Sequence, residues 1–184
     1  LSISNLTGIE AFTAITQLNC KNNILTSINV ASNTALTNLT CSENNITSLD
    51  VSSNTALTYL DCSHNALTGL DVTSNTLLTF LNNNTNAITN LDVSANTALE
   101  ILFCYQNNLT TLDLSQNTAL AELHCGSNQL TALNTSVNTL LTYVYCAYNS
   151  ITSLDLSQNT ALLDFDCSFN VTLTSLNVQN GNNT

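Results

Sequence analysis

The sequence predicts a solenoid: one continuous coil of short repeats with a parallel β-sheet running along one face. Two observations carry this. One 21-residue line recurs over roughly nine-tenths of the chain, and apolar residues within it alternate in and out. The line is clearest at 36–56, LTNLTCSENNITSLDVSSNTA. It returns at 57–77, 78–98, 99–119, 120–140 and 141–161, and is preceded by ITQLNCKNNILTSINVASNTA at 15–35. A last copy begins at Leu162 and carries one extra residue after Asn170. A fixed period of this length belongs to stacked units sharing one core, not to separate globular domains. The expected division is an N-terminal segment, 1–14, followed by an array of eight repeats, 15–184.

Taken in order, the first element is LSISNLTGIEAFTA. Its Leu6, Ile9 and Phe12, with Ile15, are spaced by three, which predicts a short 3₁₀ or helical turn covering the first repeat with one apolar face. The next element recurs: the x-L-x-C-x segment of each repeat alternates and reads as a short strand. Eight such strands side by side span about 35–40 Å. The Asn at the ninth place, from Asn23 to Asn170, ends the strand, and its carboxamide is expected to bond the turning backbone. The second half, I/L-T-x-L-D-V-S, alternates too and predicts an extended opposite side with little room for a helix. Corners rely on Asn and Ser, which tolerate turn geometry. The chain has no Pro and four Gly, so those residues do not shape the corners.

The seven Cys all occupy the sixth place, two residues after an inward Leu, Val or Phe, and so also point inward. They read as a column of buried thiols, since free Cys packs as a small hydrophobe. No C-x-x-C pair suggests zinc. In the fourth repeat Asn83 replaces Cys. An amide there needs a partner or water, or marks a local bend or bulge.

One Lys or Arg against twelve Asp and Glu gives a formal charge of −11. Phosphate backbones require cations, so nucleic acid is excluded, and anionic membranes are disfavoured. No apolar run reaches membrane-spanning length. No signal peptide stands at Leu1 and VQNGNNT lacks an apolar capping element, so a trimmed fragment without its C-terminal cap is expected.

Recognition is expected where the outward places vary. The third and fifth places of the strand line carry Tyr59, Phe80, Ile101, Phe103, His124, Tyr143 and Tyr145, with Tyr105 and Tyr148 just beyond. Of ten aromatics, only Phe12 and Phe165 lie away from this face, which is more than sheet stabilisation demands. These nine residues are the candidate ligand-binding set, because Tyr and Phe are large rigid anchors at interfaces. Asp61, Glu122, Asp164 and Asp166 add acceptors for a basic partner or sugar hydroxyls. Three other readings compete. Thr columns beginning at Thr26 and Thr34 resemble ice-binding ranks, a column of Asp from Asp50 to Asp155 invites calcium or simple turn bonding, and a silent spacer would use neither face. Catalysis is not expected. His64 and His124 are the only histidines, Cys125 points away from His124, and no nucleophile has an orienting third group. No cofactor is implied.

The L-x-x-L-x-C-x-x-N-x-I/L line resembles the leucine-rich-repeat family, with Cys in the third apolar place. The resemblance implies a curved right-handed coil with the sheet on its concave face and an extended, irregular convex side. The Cys-containing line is similar to that of secreted or surface-attached proteins of Bacteroidetes-type bacteria. More loosely it resembles internalins, whose arrays also begin with an N-L-T-G-I-E-like segment. This implies a monomeric, secreted or cell-surface adhesion module binding a protein or glycan on the concave face. The repeat is slightly shorter than the internalin unit, so no particular receptor carries over.

Overall fold

The computed structural model describes residues 2–181; residue 1 and residues 182–184, where the chain start and the end of VQNGNNT fall, lie outside the described residues. Ten three-residue strands follow a 3₁₀ turn at Ile9–Ala11. They are β1 Gln17–Asn19, β2 Asn38–Thr40, β3 Tyr59–Asp61, β4 Phe80–Asn82 and β5 Ile101–Phe103, then β6 Glu122–His124, β7 Tyr143–Tyr145, β8 Ser153–Asp155, β9 Asp164–Asp166 and β10 Ser175–Asn177. The main sheet is parallel, with eight strands in the order β1-β2-β3-β4-β5-β6-β7-β9. Its register advances by one repeat per strand, Leu39 opposite Leu60 opposite Leu81, so each residue lies beside its counterpart in the next repeat. This is the predicted solenoid.

The alternation decides what enters. Leu39, Leu60, Leu81, Leu102 and Leu123 are fully buried, and so are Cys41, Cys62, Cys104, Cys125 and Cys146. A fully buried Leu contributes about 1.5–3 kcal/mol. The opposite side supplies Leu25, Ile46, Leu67, Ile88 and the Val30–Val51–Val72–Val93 column to the same core. All seven thiols are free; Cys167, directly after β9, is only partly covered. Burial raises their pKa values, to about 11 for Cys20 and about 12 for Cys104 and Cys146.

Two Asn ladders tie the coils together. The ninth-place Asn acts as foreseen: Asn44 Nδ2 donates to the carbonyls of Cys20 and Cys41, while its Oδ1 accepts from Leu25 N at 3.0 Å. The second ladder, at the nineteenth place, was not read from the sequence. Asn54 Nδ2 donates to the carbonyls of Val30 and Asn33 at 3.0 and 2.9 Å, and the pattern repeats to Asn159. The Oδ1 atoms of Asn33, Asn54, Asn75, Asn96, Asn117 and Asn138 are buried without a protein partner. Asn159 differs because Thr135 replaces the usual Val or Leu, and its hydroxyl donates to that Oδ1 at 2.8 Å.

Departures from expectation are local. No bulge forms at Asn83: its N–H keeps the ladder bond to Phe103 O at 2.9 Å. Its side chain is fully buried with neither amide atom paired in the protein. The apolar face expected over 6–15 is incomplete, because Leu6 and Ile15 touch the core while Phe12 is 61% exposed. That segment still bonds the first coil, with Asn33 Nδ2 donating to the carbonyls of Ile9 and Phe12. On the second side, among the described residues, a two-stranded sheet appears only between β8 and β10; elsewhere on that side neighbouring coils are joined by isolated backbone bonds, such as Ala66 N–H to Ile46 O at 2.9 Å. Finally, every eighth-place residue, from Asn22 to Phe169, has φ between 51° and 57°. The left-handed residue turns the chain out of the strand before the Asn clamp, and none of the eight is Gly.

Candidate binding face

The third and fifth places of each repeat face solvent because their neighbours, the fourth and sixth, face the core. Parallel register then stacks the outward side chains. Tyr59 of β3 lies on Phe80 of β4 with ring centroids 4.3 Å apart and planes 3° from parallel. Phe80 meets Phe103 edge-on at 5.7 Å, crossing from the third place to the fifth. Phe103, His124 and Tyr145 follow at 4.5 and 4.4 Å, and Tyr143 lies 6.5 Å from Tyr145. A continuous run of rings therefore crosses β3 to β7. Ile101 sits in register between Phe80 and Glu122, filling the third-place column beside that run.

Of the nine sequence-selected residues, Tyr143 and Tyr148 are exposed and the other seven are half-buried. Tyr148 is separate from the main run and stacks on Phe169 at 4.2 Å. Tyr105, His124, Tyr145 and Tyr148 nevertheless surround one cavity of about 250 Å³, floored by Gly126, Ser127 and Ala147. Those floor residues were missed. The signal was present: Gly126 and Ala147 hold the seventh place, where other repeats carry Lys21, Ser42, Ser63, Asn84, Tyr105 and Ser168. A larger cleft of about 450 Å³ lies between 4–10 and 26–32, but it is lined chiefly by Ser, Thr and Asn and contains no aromatic ring.

The polar groups of the face are mostly committed. His124 Nε2 lies 2.8 Å from Glu122 Oε1, two residues away on the same side of β6. Tyr145 donates its hydroxyl to Asp164 Oδ2 at 3.0 Å, and that bond raises the phenol pKa. Asp61 accepts from both N and Oγ of Ser63, at 3.1 and 2.6 Å. The one Lys of the chain, Lys21, pairs with Glu43 at 3.1 Å at the far edge of the sheet. The strand face is therefore aromatic and acidic, with no Lys or Arg in its third- or fifth-place columns.

The opposite side offers less chemistry. Asp50, Asp71, Asp92, Asp113 and Asp155 each bond the N–H two residues on, at 2.8–2.9 Å. Bonds to Ser or Thr hold these carboxyls below their usual pKa. Turn bonding thus accounts for the column, and among the described residues no cluster of three His, Cys, Asp or Glu could hold a metal ion. The Thr columns from Thr26 to Thr152 and from Thr34 to Thr160 are exposed throughout. No helix of the described residues is long and apolar enough to cross a membrane.

No family model matches the chain, and no curated protein matches it. Solved structures do. The functional domain of InlJ from Listeria monocytogenes, described as including a cysteine ladder, is 35% identical, with a TM-score of 0.51 over 96% of this chain and 51% of that one. A leucine-rich-repeat protein of Leptospira interrogans gives a TM-score of 0.82 at 24% identity, over 95% of this chain and 51% of that one. An internalin, InlF, from Listeria monocytogenes gives 0.72 at 20% identity, over 95% and 64%. The chain spans about half the length of the first two. Its 21-residue period and parallel sheet give this chain the leucine-rich-repeat solenoid fold shared by these structures.

Proposed function

We propose that this chain is a secreted or cell-surface adhesion module. It acts as a monomer and engages its ligand through the aromatic, concave side of the eight-stranded sheet. The observation that carries this reading is the uninterrupted run of rings from Tyr59 to Tyr143 on the solvent side of the sheet. Rings stacked on one another are already ordered, so less side-chain entropy is lost when a partner covers them. A protein is the favoured ligand class, since leucine-rich-repeat folds serve protein binding and the face pairs aromatic anchors with acids. A glycan is the competing class. We read the module as one that binds without catalysis, with Glu122 and His124 paired to each other.

The test is an array of surface proteins and glycans probed with the wild-type chain, a Tyr59→Ala/Phe80→Ala/Tyr143→Ala variant, and a Thr47→Tyr/Thr68→Tyr variant of the other side. Saturable binding that is lost in the aromatic variant and kept in the Thr variant is expected. Binding that survives loss of the rings, or that only the Thr variant abolishes, would remove the reading. Ice-crystal shaping would then be measured on the Thr face.

A further inference from the structure

We infer that the slot between Tyr105, His124, Tyr145 and Tyr148 receives an arginine side chain from a basic segment of the partner protein, an inference that rests on the binding reading above and specifies it. The slot is built by two consecutive small residues. A Cβ at Gly126 would stand 2.9 Å from the carbonyl oxygen of Ala147, so here the two coils approach more closely than any side chain allows. Ala147 in turn brings only a methyl group to a place where Asn84 and Tyr105 carry full side chains. The result is the cavity of about 250 Å³ with aromatic walls.

The walls are held open from outside. Tyr148 is stacked on Phe169 at 4.2 Å and fixed by a left-handed backbone, so it does not fold inward. The hydroxyl of Tyr145 is tied to Asp164, and the ring of His124 to Glu122. Tyr105 stands 6.4 Å from His124, leaving a gap between ring faces. A preformed apolar cavity with a few fixed polar groups is the usual form of a recognition pocket.

Charge selects the occupant. Two walls carry an acid partner, Glu122 on His124 and Asp164 on Tyr145, and Asp166 is the register partner of Tyr145 on the next strand; the chain carries −11 overall, and its one Lys, beyond the far strand, is already paired with Glu43. Ring faces are negative and attract cations, and the acids reinforce that field. Guanidinium suits the site better than ammonium, because its plane stacks on an aromatic ring while its edge forks to a carboxylate. A neutral pyranose would stack and could donate its hydroxyls to the acids, but it gains nothing from the net negative field, and an anionic segment would be repelled.

The experiment titrates labelled glycine–serine peptides bearing arginine, lysine, glutamine or glutamate at the same places, read by fluorescence anisotropy. Arginine is expected to bind best, lysine next, and glutamine about tenfold or more below arginine. Ala147→Leu fills the slot and Tyr148→Ala removes a wall that is 55% exposed, so its loss leaves the core untouched. Each should lower arginine-peptide affinity about tenfold with unchanged circular dichroism, while Thr47→Tyr/Thr68→Tyr on the opposite side should not. Equal binding of the glutamine peptide, or no effect of Tyr148→Ala, would overturn the inference. So would cellohexaose binding that depends on Tyr148 in place of arginine. An arrayed ligand lost on changing Tyr59, Phe80 and Tyr143 but indifferent to both slot variants would sink the slot alone and leave the binding face standing.

Discussion

Replacing Asn83 by Cys should stabilise the protein, and the structure gives the size of the effect. Asn83 occupies the one sixth-place site in the array without a thiol, between the columns ending at Cys62 and beginning at Cys104. It is fully buried, and both Nδ2 and Oδ1 lack a protein partner. Burying an unpaired polar group costs about 1–3 kcal/mol. Two such groups on one amide share their desolvation, so the relief is about 2–4 kcal/mol on that scale. Against it stands volume. Cys is slightly smaller than Asn, and the void left behind costs about 1 kcal/mol or less on the cavity scale. The net expectation is a gain of about 1–3 kcal/mol, with the slope of denaturation unchanged because the exposed surface on unfolding does not change. Urea unfolding under reducing conditions, followed by circular dichroism, measures it. Asn83→Ala removes the same polar atoms but leaves a larger void and should gain less. The reverse change, Cys104→Asn, should lose a comparable amount. If Asn83→Cys is neutral or destabilising, the amide is not an orphan and the reading of the inward column is wrong at that site.

Four further outcomes are expected. Thr135→Val strands the Oδ1 of Asn159, which Thr135 now satisfies at 2.8 Å, and should cost about 1–3 kcal/mol by urea denaturation. His64→Gly should stabilise by about 0.5–1 kcal/mol: His64 has φ 51°, relief of that conformation outweighs the greater unfolded freedom of Gly, and a urea midpoint reads the difference. Hydrogen bonds from Ser or Thr hold the folded-state carboxyls of Asp50, Asp71, Asp92, Asp113 and Asp155 below the ordinary carboxylate pKa, so their contribution is complete above that ordinary value and is lost as pH falls through the depressed values. Changing all five to Asn should flatten the acid limb of a melting-temperature profile while keeping the turns, since Asn134 already accepts the same bond from Ser136 N at 3.0 Å. With a thiol reagent under native conditions, Cys167 should react quickly and the other six only on unfolding, because those six are buried; rapid labelling of several thiols would contradict the column.

Much of this was legible in the chain itself, for a physical reason. A period of 21 residues with internal alternation fixes which side chains face in. Parallel stacking then brings each residue beside its own copy, so the thiol column, the ninth-place Asn clamp and the ring-bearing face follow from local pattern alone. The Asp column's turn bonds are local as well, spanning two residues.

What the pattern left open depends on atoms from different coils meeting at particular distances. The second Asn ladder reaches 21 and 24 residues back, a span at which nothing in one repeat marks the carbonyls that accept it. Thr135 reads as a polar intruder until its hydroxyl is found against Asn159. Asn83 looked able to distort the strand, but the backbone bonds of both neighbours held the register. The slot over Gly126 and Ala147 is likewise tertiary. A missing side chain becomes a cavity only when rings from β6, β7 and the turns after β5 and β7 are held apart around it. Sequence determined the columns; packing decided which members of neighbouring columns touch, because contact depends on side-chain reach across strands, which periodicity does not encode.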